Sequence, residues 1–128
     1  MAPTLDLTAD RARALQLTPV SRETEERLVA FVECLLERQQ TLNLIADSTV
    51  PHIWTRHLAD SLQLLSLAPE ALSWADLGSG AGFPGLPLAC ALAVRNGAQV
   101  HLVESTRKKC GFLDEAIRAT GAPAPGLP

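Results

Sequence analysis

Hydrophobic residues recur at helical spacing through the first 70 residues of the chain. Residues 8–17 fit a short helix with Thr8 as its N-cap and Leu15 on its apolar face. A longer helix begins after Ser21, and its apolar positions are Leu28, Phe31, Val32, Leu35 and Leu42. A third begins near Pro51 and carries an apolar stripe to about residue 67, formed by Trp54, Leu58, Leu62 and Leu65. Residues 1–70 are therefore predicted to form an N-terminal helical cap.

The pattern changes at Ser73 to short apolar runs that alternate with helical stretches. Residues 73–77 and 99–104 have the length and composition of buried parallel strands. A helix is predicted between them, with Pro84 at its first position. Another begins at Ser105 or Thr106, ends at Gly121, and has an inner face of Cys110, Leu113 and Ile117. The β-α-β-α order is the repeating unit of a doubly wound parallel sheet.

The predicted fold class is therefore α/β, a helical cap followed by the first two βα units of an incomplete Rossmann-like sheet. These units occupy residues 71–121. Residues 122–128 contain three prolines and are predicted to be an irregular tail, because proline cannot pair within a central strand. Two strands alone make a marginal sheet, and strand 73–77 is expected to leave an open edge.

Composition and charge restrict the class of protein without identifying it. The 128 residues are 47% hydrophobic and 20% charged, which suits a soluble globular domain. No apolar run approaches the ~20 residues that span a bilayer, and the first residues lack the regions of a signal peptide. Cys34, Cys90 and Cys110 are far apart, as is typical of reduced thiols in a cytoplasmic protein. The net charge of −3 counts mildly against a nucleic-acid partner.

A glycine-rich turn follows the first predicted strand. Asp76, Gly78, Gly80 and Gly82 have the spacing found in methyltransferases that use S-adenosylmethionine. The same stretch also reads Gly80-x-Gly82-x-x-Gly85, which is the dinucleotide fingerprint. Glu104 closes the next predicted strand, where an acidic residue can bind the ribose hydroxyls of a nucleoside cofactor. A tight turn without a ligand and a solvated acid at a strand end are the structural alternatives.

Three features favour S-adenosylmethionine over NAD. Asp76 lies inside the strand end, where its carboxylate can face a cationic ligand. The turn opens at Gly78, and from there the dinucleotide spacing needs a glycine at the position of Phe83. A helical front of this length is also unusual before a nicotinamide-binding unit. The turn is therefore predicted to bind S-adenosylmethionine, with an NAD-dependent oxidoreductase unit as the alternative.

A second group of polar residues lies on the helix that precedes the sheet. Arg56 precedes His57, Asp60 and Ser61, whose spacing of three and four places them on one helical face. A solvated face with a weak pair between Arg56 and Asp60 is the structural alternative. Metal binding is not predicted, because no second His or Cys stands at ligand spacing. A hydrolase triad is not predicted either, because one helical turn cannot give its geometry.

The ordered motifs resemble the family of glucose-inhibited division protein B. The resemblance covers roughly residues 20–121 and is carried by NLI at 43–45, IWTRHLADS at 53–61, DLGSGAGFPG at 76–85 and VESTRKKCGFL at 103–113. Members of this family methylate guanine N7 of small-subunit ribosomal RNA with S-adenosylmethionine as donor. The resemblance implies a class I methyltransferase sheet, of which the chain supplies the first two of about seven strands.

The family pattern also implies site roles. Gly78 and Phe83 are expected to line the cofactor pocket, and Glu104 is expected at the ribose. The polar group at 56–61 matches the family's signature helix beside the active site, and no catalytic residue is assigned. Arg107, Lys108 and Lys109 form the local basic cluster, either as a solvated helix start or as an RNA contact. The expected product is a shortened, poorly active enzyme, with a non-catalytic interaction module as the remaining alternative.

Overall fold

The computed structural model of the chain describes residues 5–124 and the backbone of residues 126 and 127. Its helical front contains α1 (Thr8–Leu17) and α2 (Arg22–Gln39). The hydroxyl of Ser21 accepts a hydrogen bond from the backbone N–H of Thr24 at 3.2 Å, so Ser21 is the N-cap of α2 as predicted. Residue 7, not Thr8, occupies the N-cap position of α1, and Asp6 accepts the N–H of Thr8 instead.

Residues 47–67, called here the third helical segment, form a helix whose winding changes along its length. A 3₁₀ turn (Asp47–His52) leads into a π turn (Trp54–Ala59), a short α3 (Asp60–Leu62) and a second 3₁₀ turn (Gln63–Leu67). The segment was predicted as one regular helix. The difference matters because a π turn shifts the faces on which successive side chains project, and such turns are frequent at functional sites.

The sheet has three parallel strands in the spatial order β1-β2-β3, where β1 is Ser73–Leu77, β2 is Gln99–Val103 and β3 is Gly126–Leu127. Between them lie α4 (Gly85–Leu92) and α5 (Arg107–Thr120). The register pairs Ser73 with Gln99 and Leu77 with Val103. The α/β class and the incomplete parallel sheet are therefore as predicted. Among the described residues, no helix combines the length and apolarity needed to cross a membrane.

The prediction of an irregular tail was wrong for residues 126 and 127. They pair with Leu102 and Val103, and the carbonyl of Pro123 accepts the N–H of Val100 at 2.8 Å. Proline has no N–H to donate, but its carbonyl remains a full acceptor, so a proline-rich segment can still dock along a strand edge. The third strand is thus short and lies at the outer side of β2.

One hydrophobic core joins the helical front to the sheet. The front contacts the sheet mainly through α4 and α5, since α2 packs on both of these helices and α3 packs on α4. Ion pairs between Arg11 and Glu25 and between Arg38 and Glu115 tie α1 to α2 and α2 to α5. Fully buried core side chains come from every layer: Leu28, Phe31, Leu58, Leu86, Val100 and Phe112.

Candidate cofactor-binding site

The glycine-rich loop leaves the carboxyl end of β1 and bends back toward β2. Gly78, Gly80 and Gly82 have positive φ angles of 74°, 55° and 95°, which L side chains rarely adopt. The N–H groups of Gly78 and Ser79 both donate to the carbonyl of Val103, at 2.8 and 3.0 Å. The loop is therefore fixed against the end of β2, and glycine leaves its backbone open to close approach by a ligand.

Asp76 is half-buried beneath this loop and holds the start of α4. Its carboxylate accepts the N–H of Gly85 at 3.1 Å, and burial raises the pKa of the carboxyl above its ordinary value. A side chain at Gly85 would collide with Leu102 and approach the Asp76 carboxylate oxygen to 2.8 Å. Helix α4 begins at Gly85, and Pro84 is its N-cap rather than its first residue as predicted.

Glu104 lies across the loop from Asp76, one residue past the end of β2. One of its carboxylate oxygens accepts the N–H of Thr106 at 2.9 Å and the other accepts the N–H of Gly80 at 2.7 Å. These two backbone donors lower the pKa of the carboxyl, with Thr106 contributing most. Glu104 is only 9% exposed. One side chain thus joins the ends of the two strands from which a nucleoside pocket is expected.

The π turn brings His57 to the same place from the opposite side. The imidazole of His57 stacks on the ring of Phe83, with centroids 4.9 Å apart and planes inclined by 23°. Phe83 also meets Phe31 of α2 edge-on at 5.3 Å. Burial, followed by the nearby charge of Arg56, lowers the pKa of His57, and its Nε2 lies 3.0 Å from the hydroxyl of Thr49.

The other three residues of the predicted polar group, one in the π turn and two in α3, do not converge on the loop. Ser61 is buried, and its hydroxyl donates to the carbonyl of His57 at 2.7 Å. Arg56 and Asp60 are exposed, as the alternative of a solvated face requires, but the described ion pairs do not include one between them. Sequence analysis grouped Arg56, His57, Asp60 and Ser61 beside the active site. Of these four residues, the structure places only His57 in stacking contact with the glycine-rich loop.

Two supporting residues were missed by sequence reasoning. The carboxylate of Asp10 accepts the N–H of Trp54 at 2.8 Å and the hydroxyl of Thr55 at 2.7 Å, which fixes the start of the π turn. Thr49 faces the His57 ring as described above. No local pattern could have identified Asp10, because its partners lie 44 and 45 residues away in the chain.

The basic cluster lies at the start of α5, close to Glu104. Arg107 and Lys108 are exposed and Lys109 is half-buried. Within the described part of the chain, no group of three or more His, Cys, Asp and Glu side chains is placed to hold a metal ion. The groups around the loop are thus the carboxylates of Asp76 and Glu104, the stacked rings of Phe83 and His57, and the positive charges at the start of α5.

Comparison with known proteins identifies relatives for most of the chain. Residues 24–123 match the family model GidB, described as rRNA small subunit methyltransferase G. Proteins named ribosomal RNA small subunit methyltransferase G are 67% identical over 117 residues in Bradyrhizobium sp. strain BTAi1 and 64% identical over 115 residues in Nitrobacter hamburgensis. These alignments cover 91% and 90% of this chain but 53% and 44% of the relatives.

The chain thus spans about half the length of the curated relatives it matches. The matched residues include the third helical segment, the glycine-rich loop and Glu104, which are the motifs that carried the resemblance in the sequence. The chain belongs to the GidB family, that of rRNA small subunit methyltransferase G.

Proposed function

We propose that this chain carries the donor-binding half of a methyltransferase that uses S-adenosylmethionine and modifies guanine N7 of small-subunit ribosomal RNA. The observation that carries the proposal is the position of Glu104 opposite the glycine-rich loop, with its carboxylate on the N–H of Gly80. Family membership favours this donor over NAD, whose fingerprint the loop also contains. The relatives' names refer to ribosomal RNA, and we extend that substrate class to this chain.

The residues present fit an adenosine-bearing donor. Each carboxylate oxygen of Glu104 has a lone pair beyond the one used by the backbone, so it can accept a ribose hydroxyl without releasing the loop. Gly78 has open space where a side chain would stand, which leaves room for a ligand against the backbone. The Phe83 ring and the Asp76 carboxylate border the same loop, as an apolar wall and a partner for a cationic group.

The donor, when bound, supplies an electrophilic methyl group. Guanine N7 has a free lone pair and needs no deprotonation, so the chain's own task is to bind, orient and exclude water. His57 is held against Phe83 with a lowered pKa, so it contributes a neutral aromatic surface rather than a charge. Arg107 and Lys108 are placed to attract RNA phosphates at the rim. Such a substrate places the protein in the cytoplasm with the ribosome.

Nuclear magnetic resonance titration tests the proposal on the chain as it stands and detects weak binding. S-adenosylhomocysteine is expected to shift the amide signals of Gly78, Gly80 and Phe83, whereas NAD leaves them unchanged. Glu104→Gln should weaken this response by removing the charged acceptor, while Glu70→Gln, at an exposed site outside the loop, should not. A response to NAD alone would reject the methyl donor in favour of an oxidoreductase unit.

A further inference from the structure

The hydroxyl of Thr49 makes two hydrogen bonds, and together they fix which nitrogen of the His57 ring carries the proton. Its oxygen lies 2.7 Å from the carbonyl oxygen of Ala46 and 3.0 Å from Nε2 of His57. A hydroxyl has one proton to donate and a carbonyl can only accept, so that proton goes to Ala46. The Thr49 oxygen therefore accepts a hydrogen bond from Nε2–H. Both distances are the usual ones for these assignments, O–H···O for the shorter and N–H···O for the longer.

The other ring nitrogen of His57 is left as an acceptor. A neutral imidazole carries a single proton, so protonation of Nε2 leaves a lone pair on Nδ1. The ring is neutral at neutral pH, because burial and then the charge of Arg56 lower its pKa, against an opposing effect of Asp60. Among the described side-chain hydrogen bonds, His57 uses Nε2 and none uses Nδ1. The half-buried ring thus offers an unprotonated nitrogen next to the glycine-rich loop.

Such an acceptor suits a guanine that is to be methylated at N7. Guanine presents N7 and O6 as acceptors on one edge, whereas its N1–H and amino group are donors on the opposite edge. A ring donor beside N7 would compete for the lone pair that has to attack the methyl group. Thr49 already engages the single N–H of the neutral His57 ring, so the ring meets the base as an acceptor and leaves N7 free.

We propose that Nδ1 of His57 accepts a hydrogen bond from N1–H of the target guanine, and that Thr49 is the positioning residue that keeps Nδ1 unprotonated. This inference rests on the proposed function, which makes guanine the methyl acceptor. Unpaired RNA bases are commonly recognised at this edge beside aromatic side chains, and the stacked rings of His57 and Phe83 provide such a surface. Adenine has an unprotonated N1, so the same contact discriminates against adenine.

Nitrogen-15 spectra of the His57 ring test the tautomer on the chain without any ligand. Above the pKa of the ring, we expect a proton on Nε2 and none on Nδ1. Thr49→Val removes the hydroxyl and should give a mixture of both tautomers, whereas Thr49→Ser should retain the parent tautomer. Ser48→Ala removes a hydroxyl from the adjacent exposed position and is the matched control. A proton on Nδ1 in the parent chain, or an unchanged tautomer in Thr49→Val, would overturn the proposal.

Titration with guanosine monophosphate tests the contact with the base. This nucleotide should shift the Nδ1 signal, and so should its 7-deaza analogue, which keeps N1–H. The N1-methyl analogue lacks that donor and should bind about five- to tenfold more weakly, the effect of one lost hydrogen bond. Thr49→Val should weaken the binding of guanosine monophosphate, and Thr49→Ser should restore it.

An equal response of Nδ1 to adenosine monophosphate, or no response to any of the guanine nucleotides, would overturn the proposal. Binding of S-adenosylhomocysteine is measured separately, at the amides of Gly78 and Gly80. An unresponsive Nδ1 in a chain whose loop does respond would therefore reject this inference alone. An unresponsive loop would instead count against the proposed function.

Discussion

The rings of His57 and Phe83 stack at 4.9 Å and join two motifs that are 26 positions apart in the chain. His57 belongs to the π turn of the third helical segment, and Phe83 belongs to the glycine-rich loop. Phe31 of α2 also contacts the Phe83 ring, in an edge-on arrangement. Residues of the helical front therefore contact the glycine-rich loop directly. A substitution in the loop should change the packing and stability of the helical front as well.

Phe83→Ala is expected to destabilise the protein and to release His57. The half-buried ring contacts both Phe31 and His57, so we expect a loss of about 2–3 kcal/mol in the free energy of unfolding, below the range for a fully buried ring. The pKa of His57 should rise toward its ordinary value, because burial is the main cause that lowers it. Urea unfolding and a ring-proton titration measure the two effects. Phe83→Leu, which keeps most of the bulk, should show smaller changes, and an unchanged His57 pKa in Phe83→Ala would contradict the stacking.

Acid should destabilise the fold through His57. Its folded pKa lies below the ordinary value of 6.5, so the unfolded chain binds a proton at a higher pH than the folded chain does. The stability that this residue contributes is present above the unfolded pKa of 6.5 and is lost as the pH falls below it through the lower folded pKa. His57→Phe keeps an aromatic ring without the proton equilibrium and should flatten this part of the stability curve. His52→Gln, at an exposed position, is the control. An unchanged slope in His57→Phe would show that another group titrates.

Sequence patterns predicted the elements whose signals are local. The bounds of β1 and the end of α5 at Gly121 agree with the structure, because apolar runs and glycine caps act within a few residues. The π turn was not predicted, since its start is set by Asp10, a residue 44 positions away from Trp54. The proximity of Glu104 to the loop followed from strand direction alone, because the carboxyl ends of parallel strands meet at one edge. No comparable rule predicts the stacking of His57 on Phe83, which depends on how the helical front packs on the loop.

Two glycine-to-alanine substitutions should change stability in opposite directions. At Gly85 the added methyl group would collide with Leu102 and press on Asp76, so Gly85→Ala is expected to cost about 1–3 kcal/mol. At Gly111, within α5, the same methyl group meets nothing within 4 Å. Gly111→Ala should therefore stabilise the protein by about 0.5–1 kcal/mol through helix propensity. Denaturant unfolding measures both variants. Equal effects at the two sites would contradict the close packing of α4 on β2.

The basic cluster offers a test that separates RNA binding from folding. Arg107 and Lys108 lie in the first turn of α5, where positive charge opposes the helix dipole and the turn itself contains no acidic residue. The double change Arg107→Gln, Lys108→Gln should raise the free energy of unfolding by a few tenths of a kcal/mol or more. If these residues contact phosphates, the same change should weaken binding to a single-stranded RNA oligonucleotide. It should also reduce the salt slope by about 1.4, at ~0.7 per contact.

Arg13→Gln combined with Arg22→Gln removes the same charge from exposed positions on α1 and α2 and serves as the control. Filter binding at several salt concentrations gives the slope. An equal loss of affinity in the control would show that RNA affinity depends on the net charge of the protein and not on these two positions. A loss of affinity confined to the α5 variant would assign these two residues to binding.

Asp10 is expected to stabilise the π turn of the third helical segment. It lies before residue 24, where the match to the family model begins. Helix α1 precedes residue 24, yet the Asp10 carboxylate accepts the N–H of Trp54 and the hydroxyl of Thr55. Asp10→Ala leaves these donors without their acceptor and should cost about 1 kcal/mol, as for a lost helix cap. The amides of Trp54 and Thr55 should then exchange faster with solvent, and His57 should lose part of its contact with Phe83.

Amide exchange and the His57 ring signals test this role of Asp10 directly. Asp6→Ala is the matched control, because Asp6 is also an acidic residue at the start of α1 but bonds only to Thr8 among the described contacts. It should leave the signals of the third helical segment unchanged. If Asp10→Ala lowered stability without altering exchange at Trp54 and Thr55, the carboxylate would serve α1 alone. The π turn would then owe its shape to the packing of Trp54 and Leu58 in the core, where both are buried.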